Sequence, residues 1–62
     1  IVSEEDTGKL LGVHIAGAHA SNLIAEATFA LQKGCSARDL FETIHAHPTL
    51  SEGLYEAAGM LA

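Results

Sequence analysis

The chain has 62 residues, room for one small domain, and carries a net charge of −5 with a single cysteine. Eight acidic side chains against Lys9, Lys33 and Arg38 argue against nucleic acid and anionic membrane surfaces, since three scattered cations cannot neutralise a run of phosphates. Cys35 alone forms no internal disulfide and fits a reducing compartment, cytoplasm or mitochondrial matrix, and no apolar run approaches the ~20 residues of a bilayer span.

The opening IVSEEDTG has neither the basic start nor the apolar core of a signal peptide. Ile1-Val2 read as the tail of a strand, about 1–3, whose beginning lies outside the chain, so a piece of a larger domain is expected. EEDTG, residues 4–8, is a charged turn ending in glycine, the kind that joins two antiparallel strands. KLLGVHIAG then alternates Leu11, Val13 and Ile15 with Gly12, His14 and Ala16, which predicts a strand over about 9–16, ended by Gly17.

From Ala20 the period changes. Leu23, Ile24, Ala27, Ala30 and Leu31 recur at three and four residues, the pattern of one buried helical stripe over 20–33. Ser21 is the expected N-cap and Gly34 the stop. Ser36, with Asp39 three residues on, caps a second helix over 37–44 whose apolar face is Leu40, Phe41 and Ile44. HAHP breaks it, because the residue before proline avoids helical geometry. Thr49 and Glu52 form a T-x-x-E capping box for a third helix over 50–60, which Gly53 and Gly59 weaken by roughly 1 kcal/mol each relative to alanine. The fold class is therefore α+β, antiparallel strands followed by three helices. Its expected core is Leu11, Val13, Ile15, Leu23, Ala27, Leu31, Leu40, Phe41 and Ile44. A chain this short buries only about 60% of its surface, so self-association or a partly molten monomer is expected.

Four histidines invite a zinc reading, but no cysteine or acidic residue stands at a recognised zinc spacing, and no metal is expected. His14 falls mid-strand, where packing or a hydrogen bond suffices, and His19 falls at a helix start, where it turns the chain. GVHIAGAHA lacks the G-x-G-x-x-G pattern of a phosphate-cradling loop. Cys35 reads as a small half-buried turn residue, and neither it nor His45 gains a role from the sequence.

HAHPTLSE, residues 45–52, remains, and two readings of it stay open. Glu52 completes a helix cap while His47 is a loop residue beside proline. Alternatively, one carboxylate oxygen serves the cap while the other accepts from an imidazole N–H, which would hold one histidine tautomer and raise the ring's basicity.

The stretch LLGVHIAGAHASNLIAEATFALQKGCSARDLFETIHAHPTLSEGLYEAA resembles the C-terminal interface domain of the FAD-dependent pyridine nucleotide–disulphide oxidoreductases. HPT followed by Glu is shared with glutathione reductase relatives, while HAHPTLSE with GVHIAGAHAS upstream leans to the dihydrolipoamide dehydrogenase branch. The resemblance implies that residues 1–62 are part of a C-terminal dimerisation domain, with His47 as catalytic acid–base and Glu52 as its carboxylate partner. It implies a cis His47–Pro48 peptide, and a His47 that reaches across a homodimer interface, so that His47 and Pro48 border the other subunit's flavin and disulphide. FAD and NAD are implied for the whole enzyme, held mainly by domains outside this chain and not by this chain alone. Lipoyl domains of 2-oxo acid dehydrogenase complexes are the implied substrate carriers. Asn22 departs from the glutamate of many relatives and Gly53 from their early-helix residue, the latter loosening support for the dyad. The chain has no flavin- or nicotinamide-binding glycine motif and no redox cysteine pair. A stand-alone α/β dimerisation or interaction module, its dyad purely structural, is the alternative.

Overall fold

The computed structural model describes all of residues 1–62. Two short antiparallel strands, β1 (Val2–Ser3) and β2 (Leu10–Gly12), precede three helices, α1 (Ala20–Gln32), α2 (Ala37–Glu42) and α3 (Glu52–Gly59). The charged turn closes the hairpin as the sequence predicts. Gly8 donates to the Glu4 carbonyl at 2.8 Å with φ of 75°, and the Thr7 hydroxyl donates to the Glu4 carboxylate at 2.7 Å. Gly8 also accepts from Ala37, and Leu10 donates to Cys35, so the hairpin is tied to the start of α2.

The second strand is shorter than the expected 9–16, and its phase is different. Val2 pairs with Gly12 and Ser3 with Leu10, so β2 carries one extra residue. Such a bulge resets the inside–outside alternation. Leu10 is buried and Leu11 is 60% exposed, while Val13 and Ile15 beyond the bulge are half-buried. With Leu23 and Leu54 these two line an open apolar cleft of about 260 Å³.

Helix α1 begins on His19, in the left-handed conformation with φ of 66° and no side-chain cap, rather than on Ser21, which lies inside the first turn. Its end follows the sequence. Gly34 takes φ of 72° and donates to Leu31, while Cys35 donates to Ala30, the paired bonds of a Schellman motif. This ending turns Cys35 against the core.

Helix α2 opens with the complete expected box, Ser36 Oγ accepting from Asp39 N–H at 3.1 Å and Asp39 Oδ2 accepting from Ser36 N–H at 2.8 Å. It stops at Glu42, two residues before the expected end, because Thr43 turns extended and its hydroxyl donates to the Asp39 carbonyl at 2.6 Å. Ile44 therefore leaves the helical face and is 97% exposed; Phe41, its ring stacked on Tyr55, is 38% exposed.

The core is small and alanine-rich: Leu10, Ala30, Ala37, Leu40 and Ala58, with Ile1, Leu31, Cys35 and Leu54 packed against it, and Ala27 buried separately on α1. Of the expected core, Ala27 and Leu40 are buried, Val13, Ile15, Leu23 and Leu31 half-buried, and Leu11, Phe41 and Ile44 exposed. Small side chains let α2 and α3 approach closely. A Cβ on Gly59 would sit 2.6 Å from the Phe41 ring.

Candidate functional site

The site lies where α2 has ended and α3 has not begun. His47 precedes Pro48 through a cis peptide bond, as the resemblance implies. The expected Thr49–Glu52 box is half-formed. Glu52 Oε2 accepts from Thr49 N–H at 2.9 Å, but the Thr49 hydroxyl donates to the Ala46 carbonyl at 2.6 Å instead of capping Glu52. Ser51 is the N-cap residue, so α3 starts at Glu52 and not at residue 50.

Glu52 divides its carboxylate. With Oε2 on the backbone, Oε1 stands 2.8 Å from His47 Nδ1. Its pKa is lowered from the ordinary carboxylate value, first by the Thr49 N–H, then by the hydrogen bond from His47; the charges of His47 and His45 add to this, and desolvation opposes it. An ionised carboxylate only accepts, so His47 Nδ1 must carry the hydrogen. That leaves Nε2 of the neutral ring with a free lone pair. The His47 side chain is 81% exposed, and Nε2 takes no protein hydrogen bond. The arrangement is a histidine base held in one tautomer and presented outward.

His45, two residues away, is the partner that sequence reasoning left without a role. Its Nε2 lies 2.6 Å from Glu26 Oε2 on α1 and its Nδ1 lies 2.8 Å from the Thr43 carbonyl. The side chain is 6% exposed, with its ring 5.5 Å from that of Tyr55. Glu26 is nineteen residues upstream, so no local spacing points to the pair. His45, Glu52 and Tyr55 line one cleft of about 360 Å³.

The remaining residues stay apart. His14 is exposed on the segment after β2, His19 starts α1, and Cys35 ends the Schellman turn. No three His, Cys, Asp or Glu side chains converge as metal ligands would. Every buried side-chain nitrogen and oxygen has a hydrogen-bond partner within the chain. His47 and Pro48 are exposed. No helix is long and apolar enough to cross a membrane.

Residues 1–58 match the family model described as pyridine nucleotide-disulphide oxidoreductase, dimerisation domain. The chain is 56% identical over 61 residues to a dihydrolipoyl dehydrogenase of Thermus scotoductus, covering 98% of this chain and 13% of that protein. It is 50% identical over 58 residues to the mitochondrial dihydrolipoyl dehydrogenase of Pisum sativum, covering 94% of this chain and 12% of that one. A leghemoglobin reductase of Glycine max is likewise 50% identical over 58 residues, 94% of this chain and 11% of its own. The chain thus spans only about an eighth of these curated relatives.

Proposed function

This chain belongs to the pyridine nucleotide–disulphide oxidoreductase dimerisation-domain family, and from that premise we propose that it is the C-terminal dimerisation part of a dihydrolipoyl dehydrogenase. Residues 1–62 supply a homodimer interface and an acid–base pair, His47 and Glu52, for oxidation of protein-bound dihydrolipoamide. Lipoyl domains of 2-oxo acid dehydrogenase complexes are the proposed substrate carriers, in cytoplasm or mitochondrial matrix. FAD and NAD, bound by the rest of the enzyme, supply the acceptors for the substrate's two electrons. The chain is proposed to bind neither alone and to be inactive by itself.

The observation that carries this reading is the His47–Glu52 contact at 2.8 Å with the other imidazole nitrogen free and exposed. A thiol with a pKa near ~8.5 is mostly protonated at neutral pH, and thiolate is the nucleophile toward a disulphide. His47 Nε2 takes the proton from one substrate thiol. The thiolate then attacks the enzyme disulphide, one S–S bond breaks as a mixed disulphide forms, and the leaving sulphur departs as thiolate. Glu52, held ionised by the Thr49 N–H, stabilises the imidazolium that results. Pro48 and the half-box fix the backbone on the far side of the ring.

The test is His47→Gln in the full-length dimer. Dihydrolipoamide oxidation should fall by about 10²- to 10⁴-fold, the range for a positioned acid–base. Electron transfer from NADH to a quinone should be largely retained, because that half-reaction needs no substrate thiol deprotonated. Undiminished lipoamide turnover with lowered stability would mean that the pair only builds the cap.

A further inference from the structure

We propose that His45, clamped to α1 by Glu26, is the positioning residue that sets where His47 stands; the proposal rests on His47 being the acid–base. The segment between α2 and α3 has no helix or strand of its own, so something other than backbone ladders must fix it. On the far side of His47 the tie is Glu52. On the near side it is the His45 ring.

Both His45 nitrogens are engaged. The Thr43 carbonyl only accepts, so Nδ1 donates to it at 2.8 Å, while Nε2 is held by the Glu26 carboxylate at 2.6 Å. The ring is therefore bound at both ends, to the close of α2 and to the middle of α1. It packs, tilted by 49°, against the ring of Tyr55 of α3 at 5.5 Å, and the Tyr55 ring stacks on Phe41 of α2 at 5.1 Å. One side chain thus joins all three helices. Every other side-chain hydrogen bond spans five residues or fewer, whereas His45–Glu26 spans nineteen. From this anchor only Ala46 intervenes before His47, too short a run for the second ring to wander far.

The experiment uses the full-length flavoprotein and four variants, His45→Ala, Glu26→Ala, Glu26→Gln and His47→Gln. His45→Ala and Glu26→Ala should each lower kcat for dihydrolipoamide about 10- to 10²-fold, the scale of a misplaced catalytic group, while NADH-to-quinone transfer stays near the parent value. In the His47→Gln background neither should cost anything further, because a residue acting through His47 has nothing left to position. Glu26→Gln should lose less than Glu26→Ala. A neutral His45 can keep its Nδ1–H on Thr43 while Nε2 accepts from the amide N–H. If His45→Ala does not fold, the two Glu26 variants carry the same test from a part-exposed position.

Equal loss of both activities, or further loss on top of His47→Gln, would mean that the clamp only stabilises the fold, and overturns the proposal. So does full turnover in His45→Ala and Glu26→Ala when His47→Gln is impaired. Full turnover in His47→Gln removes the acid–base reading and the clamp's role with it.

Discussion

His45 and His47 stand two residues apart and face opposite surroundings, the first ring 6% exposed with both nitrogens bonded, the second 81% exposed with one nitrogen free. Each is paired with a glutamate, yet the pairings do different work. Glu26 fastens a ring into the fold, while Glu52 orients a ring toward whatever approaches from outside.

Glu52→Gln tests that orientation. The carboxylate satisfies two donors, Thr49 N–H and His47 Nδ1–H, with two oxygens. An amide has one oxygen, so it either drops the cap or turns its NH₂ to His47 and reverses the tautomer. Dihydrolipoamide turnover should fall, but by less than in His47→Gln, since the ring remains. Steady-state kinetics of both variants in the full-length enzyme check the order; a Glu52→Gln loss exceeding that of His47→Gln would contradict it.

Acid should loosen the same corner. Glu52 has a lowered pKa in the fold, chiefly through the Thr49 N–H and next through His47. A depressed carboxylate pKa contributes stability that is complete above the unfolded value, near ~4.3, and is lost as pH falls through the lower folded value. The stability gap between the parent and Glu52→Gln should therefore narrow as pH drops below about 4.3. Urea unfolding across a pH series measures it. A gap that stays constant to strongly acid pH would mean that the carboxylate's charge contributes nothing.

Gly53 and Gly59 look equivalent in the sequence, both helix-weakening, but the structure separates them. A Cβ on Gly53 meets nothing within 4 Å, whereas one on Gly59 lies 2.6 and 2.7 Å from Phe41 ring carbons. Gly53→Ala should stabilise the protein by up to about 1 kcal/mol through helix propensity. Gly59→Ala should destabilise it by about 1–3 kcal/mol as Phe41 is forced off its stack on Tyr55. Denaturation midpoints moving in the same direction for both variants would refute the contrast.

Local chemistry was legible in the sequence wherever one residue type decides the backbone. Gly34 and Ser36 mark a helix end and a helix start: Gly34, lacking a Cβ, takes φ of 72°, and the Ser36 hydroxyl caps α2. Phase was not legible. The bulge at Leu11 depends on which residues of β1 it faces, so Leu10 rather than Leu11 is buried, and periodicity could not show it. Periodicity puts Ile44 on a helical face because nothing in its own neighbourhood says that Thr43 folds back on Asp39. The His47–Glu52 pair lies within one turn of sequence and was visible; His45–Glu26 is made by tertiary packing and was not.

Ile44 and Leu50 lie three residues to either side of His47, and both are strongly exposed, at 97% and 63%. Water is a poor environment for such a pair, so the surface around His47 suits a protein partner that covers it. In a two-fold dimer each substitution acts at both copies. Withdrawing an isoleucine from an apolar contact costs about 1.5–3 kcal/mol per copy. Ile44→Asp in the full-length protein should therefore weaken dimerisation by about 10²-fold or more. Under the proposed function, in which His47 acts on a disulphide of the second subunit, dihydrolipoamide turnover should fall with it and recover as protein concentration is raised. Sedimentation and turnover over one concentration series decide the matter. A fully active monomer, or an Ile44→Asp protein as dimeric and as active as the parent, would show that this surface covers nothing.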